Sequence, residues 1–210
     1  MTPEAPRPFK PWRLADVVDV EVPAFALRTY LEQSEVRRYL ARASAGRRLR
    51  HAAEAGCGYG RLLPVLAEFA DQVTGFERQP EFAAAAAKLH PSTEIVRIGG
   101  LDRLPAPDGA FDVLLTFTVL QHLTDRVAAR AAAELRRLRA PGGHVLICEE
   151  TDEGHRAGDL EDDRGICTIG RSVERYSALL APLRLLESSP RVIEPTYARR
   201  DVGTYMLFGE

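Results

Sequence analysis

The sequence predicts an α/β protein, a doubly wound parallel sheet with helices on both faces. Three observations carry this expectation. Short apolar runs alternate with helical segments from Leu49 onward. A glycine-rich turn, Gly56-Cys57-Gly58-Tyr59-Gly60, links the first run to the first of these helices. An acidic residue, Glu77, closes the second run, seventeen residues beyond Gly60. Repeated strand–helix–strand units make consecutive strands parallel, joined by right-handed crossovers.

Pro3, Pro6, Pro8 and Pro11 block helix and remove ladder donors, so the first dozen residues read as an extended arm. Phe25, Leu27, Tyr30, Leu31, Val36, Tyr39 and Leu40 recur near a 3.6-residue spacing. They predict an amphipathic helix over 23–45, stopped by Gly46. Residues 1–48 are thus expected to form an arm and cap helix on a globular unit spanning 49–210. Strands are expected at 49–55, 72–77, 94–98, 111–117 and 144–149, and helices at 61–69, 80–89 and 125–139. Thr124 stands ready to cap the last helix. His51-Ala52-Ala53-Glu54-Ala55 lacks β-branched residues, and its standing as a strand rests on the glycine turn behind it. Residues 99–108 read as a loop and the polar stretch 152–165 as a mobile one. A helix near 172–180 and strands near 183–188 and 203–208 complete the pattern.

Composition narrows the function classes. A chain of 210 residues fits one domain. Its 28 basic and 30 acidic residues leave a net charge of −2, which gives no broad electrostatic case for a nucleic-acid partner. All but two of the basic residues, Lys10 and Lys88, are arginine. The longest apolar stretch, 113–120, falls far short of the ~20 residues of a membrane span. No basic start precedes an apolar run, which argues against a secretory signal. Cys57, Cys148 and Cys167 form no CxxC pair, and a cytoplasmic protein with reduced thiols is expected.

Three glycines on alternate positions let the backbone turn sharply and approach a ligand, with free N–H groups of the next helix behind them. A dinucleotide-binding fingerprint would carry its third glycine where Arg61 stands. A tight turn alone also explains such a loop. Glu77 adds weight, since a carboxylate there can accept both hydroxyls of a ribose.

Further pieces follow in order: Gly75-Phe76-Glu77, Leu104-Pro105 through Phe111-Asp112, Val119-Leu120-Gln121-His122-Leu123 and Pro141-Gly142-Gly143. With the glycine turn, they resemble the class I S-adenosylmethionine-dependent methyltransferases, particularly those acting on small molecules. The resemblance covers roughly residues 49–150. It implies a Rossmann-like, seven-stranded sheet, mostly parallel with an antiparallel last strand at 203–208, and S-adenosyl-L-methionine as cofactor. Gly56, Cys57, Gly58 and Gly60 would pass under its methionine portion, Glu54 would face the amino group, Glu77 would bind the ribose hydroxyls and Arg78 would flank the adenine. Many relatives bind the adenine amino group through an Asp where this chain has Gly100, so adenine would rely on backbone groups, Leu101 or Asp102. Thr116, Phe117 and Gln121 would lie beside the methionine part and the substrate.

His122 is the candidate general base, because histidine titrates near neutral pH. Capping or packing of the following helix explains it as well. Glu149 and Glu150 end the fifth strand on the same edge. One of them could orient an amine, and a solvated loop carboxylate is the alternative. A metal site from His122, Glu149 and His155 lacks compact ligand spacing. No metal is expected. Cys57 between two glycines reads as a loop residue, since no base stands beside it. Trp12, Phe25, Tyr30 and Tyr39 could form a lid or pack on the sheet. The pairs Arg47-Arg48, Arg136-Arg137 and Arg199-Arg200 read as solvated surface. The leading expectation is methyl transfer to O, N or C of a small-molecule metabolite. A protein or RNA acceptor, a dinucleotide oxidoreductase, or a nucleotide-binding module without turnover are the alternatives.

Overall fold

The computed structural model describes residues 23–161, 167–191 and 203–210. The proline-rich arm, Trp12, the Phe25 side chain, residues 162–166 and Arg199-Arg200 lie outside the described residues. In chain order the elements are α1 (Pro23–Ser44), β1 (Leu49–Ala55), α2 (Leu63–Phe69), β2 (Ala70–Glu77), α3 (Pro80–Leu89), β3 (Glu94–Arg97) and β4 (Phe111–Phe117). A 3₁₀ turn at Leu120–His122 leads to α4 (Asp125–Leu138). Then come β5 (Arg139–Glu149), β6 (Arg156–Gly158), β7 (Cys167–Ile169), α5 (Val173–Leu180), β8 (Arg184–Pro190) and β9 (Thr204–Gly209).

Seven strands form one sheet in the order β3-β2-β1-β4-β5-β9-β8. All run parallel except β9, which lies antiparallel between β5 and β8. The chain order reverses between β1 and β4, the switch point at which such sheets hold ligands beyond their carboxyl ends. Helices cover both faces. Tyr39, Leu40, Leu62 and Leu66 of α1 and the α2 region pack on one face with Val113, Leu115 and Phe117. Leu135 and Leu138 of α4 and Tyr176 and Leu180 of α5 pack on the other with Leu114, Val145 and Ile147. The two-residue alternation along β4 and β5 is that of a strand buried on both sides.

β1 forms without β-branched residues because it is enclosed. Ala52, Ala53 and Ala55 are fully buried between β2 and β4, where small side chains let the helices close in. Thr124 caps α4 as expected, its hydroxyl accepting from the Val127 N–H, and Ser172 caps α5 through Arg175. Residues 99–108 contain no helix.

Two expectations need correction. β5 begins at Arg139, not 144, and α4 ends one residue before it, so Pro141-Gly142-Gly143 belongs to the strand's irregular start. Within the stretch read as a mobile loop, Arg156–Gly158 pairs with a strand not expected at all, Cys167–Ile169. Three residues give too short a pattern to read. All three are buried, and tertiary packing against the Leu120–His122 turn makes the strand. Cys57, Cys148 and Cys167 are free and buried, and among the described residues no helix is long and apolar enough to cross a membrane.

Candidate active site at the carboxyl edge of the sheet

Glu54, the penultimate residue of β1, is almost fully buried, 3% exposed, and its Oε2 has no hydrogen-bond partner among the described residues. Burial pushes its pKa up to about 8; Arg61 opposes the rise and Glu77 adds to it. Buried carboxylates are ordinarily paired, so an orphaned one marks a place for a cation or donor from outside.

The glycine loop behind it is held by β2. The N–H groups of Gly56 and Cys57 donate to the Phe76 carbonyl at 2.8 and 3.0 Å. A Cβ at Gly56 would meet Val119 at 2.7 Å, so that glycine is fixed by packing. Gly58 differs. Its φ is +58°, and a Cβ there would meet only Phe82, at 3.9 Å. Its bare face is the open floor of the site, where backbone can approach a ligand. Gly60 packs its bare side on His90 and Leu63. Cys57 nests against Gly75, where a Cβ would lie 2.8 Å from the Cys57 Sγ. Burial pushes the Cys57 thiol up, which keeps it protonated and unreactive.

Glu77 closes β2 and wires the loop to the sheet: its Oε2 accepts from the Gly58 N–H at 2.8 Å and its Oε1 from the Gln79 N–H at 2.7 Å. Arg78 next to it is exposed. Beyond β3, Gly100 is partly exposed, Leu101 is buried among the apolar residues of that face, and Asp102 pairs with Arg130 at 3.3 Å.

The exit of β4 is strained. Thr118 adopts φ +53°, rare for a side chain branched at Cβ, while its N–H donates to the Cys148 carbonyl at 2.7 Å. Glu149, fully buried, stabilises this bend. Its carboxylate accepts from the Thr116 hydroxyl at 2.9 Å, the Val119 N–H at 3.0 Å and the Gln121 N–H at 3.1 Å. The hydroxyl of Thr116 is therefore engaged within the fold. Gln121 presents its Oε1 to the Glu150 N–H at 2.8 Å. His122 sets its Nδ1 2.8 Å from the Cys167 carbonyl, and a carbonyl only accepts, so Nδ1 carries the proton and Nε2 is the basic nitrogen. Burial lowers the His122 pKa and the Cys167 hydrogen bond partly restores it.

Neither Glu149, which ends β5, nor Glu150 just after it is a solvated loop carboxylate. Glu150 is 1% exposed and pairs through Oε2 with His155 Nδ1 at 2.6 Å, while its Oε1 accepts from the Asp152 N–H. His155 thus joins Glu150 rather than Glu149, and among the described residues no cluster of metal-ligating side chains occurs. His51 bonds Thr74 and stacks edge-on to Phe111, and His90 packs under Gly60, so both serve the fold.

Sequence reasoning missed one cluster. Glu32 of α1, 2% exposed, lies between Arg61, Arg191 and Arg28, at 2.6 Å from Arg61 Nη1 and 2.9 Å from Arg191 Nε. Arg61 and Arg191 both lie over the Phe117 ring, 4.6 and 5.1 Å from its centre. Arg61 was legible only as a departure from the dinucleotide pattern. Arg191 and Glu32 are 159 residues apart, and no local pattern joins them. Elsewhere Arg48 donates to the carbonyls ending α2, and Arg137 holds Glu134 and Asp108. These arginines brace the fold rather than decorate a solvated surface.

Residues 53–147 match the family model described as a methyltransferase domain. A protein of Mycolicibacterium smegmatis, named as a probable S-adenosylmethionine-dependent methyltransferase, is 36% identical over 94 residues, covering 45% of this chain and 35% of that protein. The ajmaline N-methyltransferase of Rauvolfia serpentina is 28% identical over 151 residues, 64% of this chain and 51% of that one. The chain therefore spans about a third to a half of the length of these curated relatives. Among solved structures, the 1,6-didemethyltoxoflavin-N1-methyltransferase of Burkholderia thailandensis superposes with a TM-score of 0.68 at 19% identity, covering 93% of this chain and 83% of that one. Its crystals contain 1,6-didemethyltoxoflavin and S-adenosylhomocysteine.

Proposed function

We propose that the protein is a class I S-adenosylmethionine-dependent methyltransferase that transfers a methyl group from that cofactor to an oxygen, nitrogen or carbon of a small metabolite, a reading supported by the match of residues 53–147 to the methyltransferase-domain family model. The observation that carries this reading is Glu54, a buried carboxylate with an unpartnered oxygen in the strand that leads into the glycine loop, where Gly58 has an open face. The residues fit the cofactor. Glu54 would receive its ammonium, Gly56, Cys57, Gly58 and Gly60 would run under its methionine portion, and Glu77 would hold the ribose hydroxyls with lone pairs not used by Gly58 and Gln79. Arg78, Gly100 and Leu101 would border the adenine. Thr116, Phe117 and Gln121 would support the reacting end, the first and last through Glu149 and Glu150.

When bound, the cofactor supplies a methyl carbon already activated by a sulfonium, so the protein's share is alignment and proton management. His122 takes the proton of an acceptor hydroxyl or ammonium at Nε2. Its Nδ1–H bond to Cys167 fixes the ring, and burial keeps it neutral at pH 7. The names of relatives that methylate ajmaline and 1,6-didemethyltoxoflavin support a small acceptor, as does the near-balanced charge of the chain.

Titration calorimetry tests the cofactor. Saturable binding of S-adenosylmethionine with none of NAD is expected, and the reverse overturns the reading. His122→Ala is expected to lower kcat by ~10²–10⁴ and to remove the acidic limb of its pH profile, which lies below the ordinary histidine range. An unchanged rate and profile would remove His122 from the chemistry.

A further inference from the structure

Arg61 follows the carboxyl end of β1, Arg191 follows that of β8, and Phe117 closes β4. β8 is parallel to β4, since both β5 and β8 run antiparallel to β9. All three residues therefore meet at the edge where Glu54 and the glycine loop stand. Two guanidinium groups, Arg61 partly buried at 19% exposed and Arg191 buried at 7%, share the single carboxylate of Glu32. No other carboxylate among the described residues pairs with either of them. Arg61 Nη1 is buried and, although 2.6 Å from Glu32, is not aligned for a hydrogen bond. Glu54 holds its proton near neutrality and does not balance the excess. A buried, uncompensated cation is costly unless an anion joins it.

The chemistry of that anion follows from the donors. A guanidinium is a planar fork matched to a planar carboxylate, and an aromatic ring beneath it steadies its plane. We propose that Arg61 and Arg191 form a subsite over Phe117 that binds a carboxylate of the methyl acceptor, so that the acceptor is an acidic metabolite. This rests on the methyl-transfer reading. Glu32 holds both arginines in place before the acid arrives, and α1 covers the subsite. Phe117 adjoins Thr118, the strained residue of the switch point, so an acid anchored there lies along the edge that carries His122.

The test pairs metabolite acids with their carboxamides in a transfer assay using labelled S-adenosylmethionine. Acids are expected to be turned over at least tenfold better in kcat/KM than their amides. Arg191→Lys and Arg61→Lys, which keep the charge but lose the fork, are expected to raise KM for the acid at least tenfold more than KM for the amide. Calorimetry of the best acid on the S-adenosylhomocysteine complex should show the same loss of affinity without turnover. Equal use of acids and amides, no acid turned over by a chain that binds S-adenosylmethionine, or equal losses for both classes in the variants each overturn the proposal. The cofactor's own carboxylate is a separate outcome. If the variants weaken S-adenosylhomocysteine but not 5′-methylthioadenosine, which lacks the amino-acid moiety, the arginines serve the cofactor and the proposal fails. Failure of S-adenosylmethionine to bind the unaltered chain would instead overturn the methyl-transfer reading.

Discussion

Glu54 shows how much one orphaned oxygen can decide. Folded, the carboxyl keeps its proton to about pH 8; unfolded, it releases it at the ordinary glutamate value of 4.5. Between those values the folded chain holds a proton that the unfolded chain has lost. Its contribution to stability is therefore complete below the ordinary value and is lost as pH rises towards 8. Glu54→Gln should flatten that decline in ligand-free denaturation curves, and an unchanged slope would mean Glu54 is already ionised. The same residue should couple binding to protons. An arriving ammonium favours the carboxylate, so cofactor binding at pH 7 should release a proton, read from calorimetry in buffers of different ionisation enthalpy. Glu149 is the opposite case, a buried carboxylate fully engaged. Glu149→Ala strands the Thr116 hydroxyl and the N–H groups of Val119 and Gln121. The expected cost is about 3 kcal/mol, a Tm lower by about 6–12 °C in a melting curve. Glu77 could be picked out in the sequence because it ends a readable strand after the glycine loop, and Glu54 because the family resemblance places an acidic residue just before that loop. The role of Glu149 could not, because its partners belong to a backbone bend at Thr118 that no residue pattern announces.

The strands, loops and helices around the site fit as matched pairs. Gly75 in β2 is hollow where Cys57 of the glycine loop fills it. Gly75→Ala should displace the loop and cost ~1–3 kcal/mol by overpacking. Adding Cys57→Ala should recover most of that loss, and a double-mutant cycle by urea denaturation gives the coupling. Purely additive effects would show that the loop does not rest on β2. Long, periodic elements were the legible ones: β4, α3 and α4 with its Thr124 cap follow from apolar spacing and capping chemistry. β7 escaped because three residues show no period, and the early start of β5 because Pro141-Gly142-Gly143 reads as a turn, although Phe111 pairs with Arg139 across it. The Glu32 cluster escaped for a different reason. Its members come from α1, the glycine loop and the end of β8, and only the folded sheet brings them together.

At the scale of the molecule, that cluster fastens α1 to both halves of the sheet edge. Glu32→Ala leaves Arg61 and Arg191 without their anion and is expected to cost ~3–5 kcal/mol, measured by denaturant unfolding. Glu32→Gln, which keeps the shape and a hydrogen-bonding oxygen, should cost less. An effect no larger than that of an exposed pair, about 0–1 kcal/mol, would show that α1 is held by its apolar face alone. The sheet itself is fastened differently. β9 lies inside it, between β5 and β8, although 54 residues separate its start from the end of β5. Until β9 has left the ribosome, β5 presents a bare edge of apolar residues from Val145 to Cys148, and β8 has no partner in the sheet. Newborn chains are then exposed to edge-to-edge pairing with one another. The late arrival of Thr204–Gly209 thus makes insertion of β9 the step that protects this sheet from aggregation.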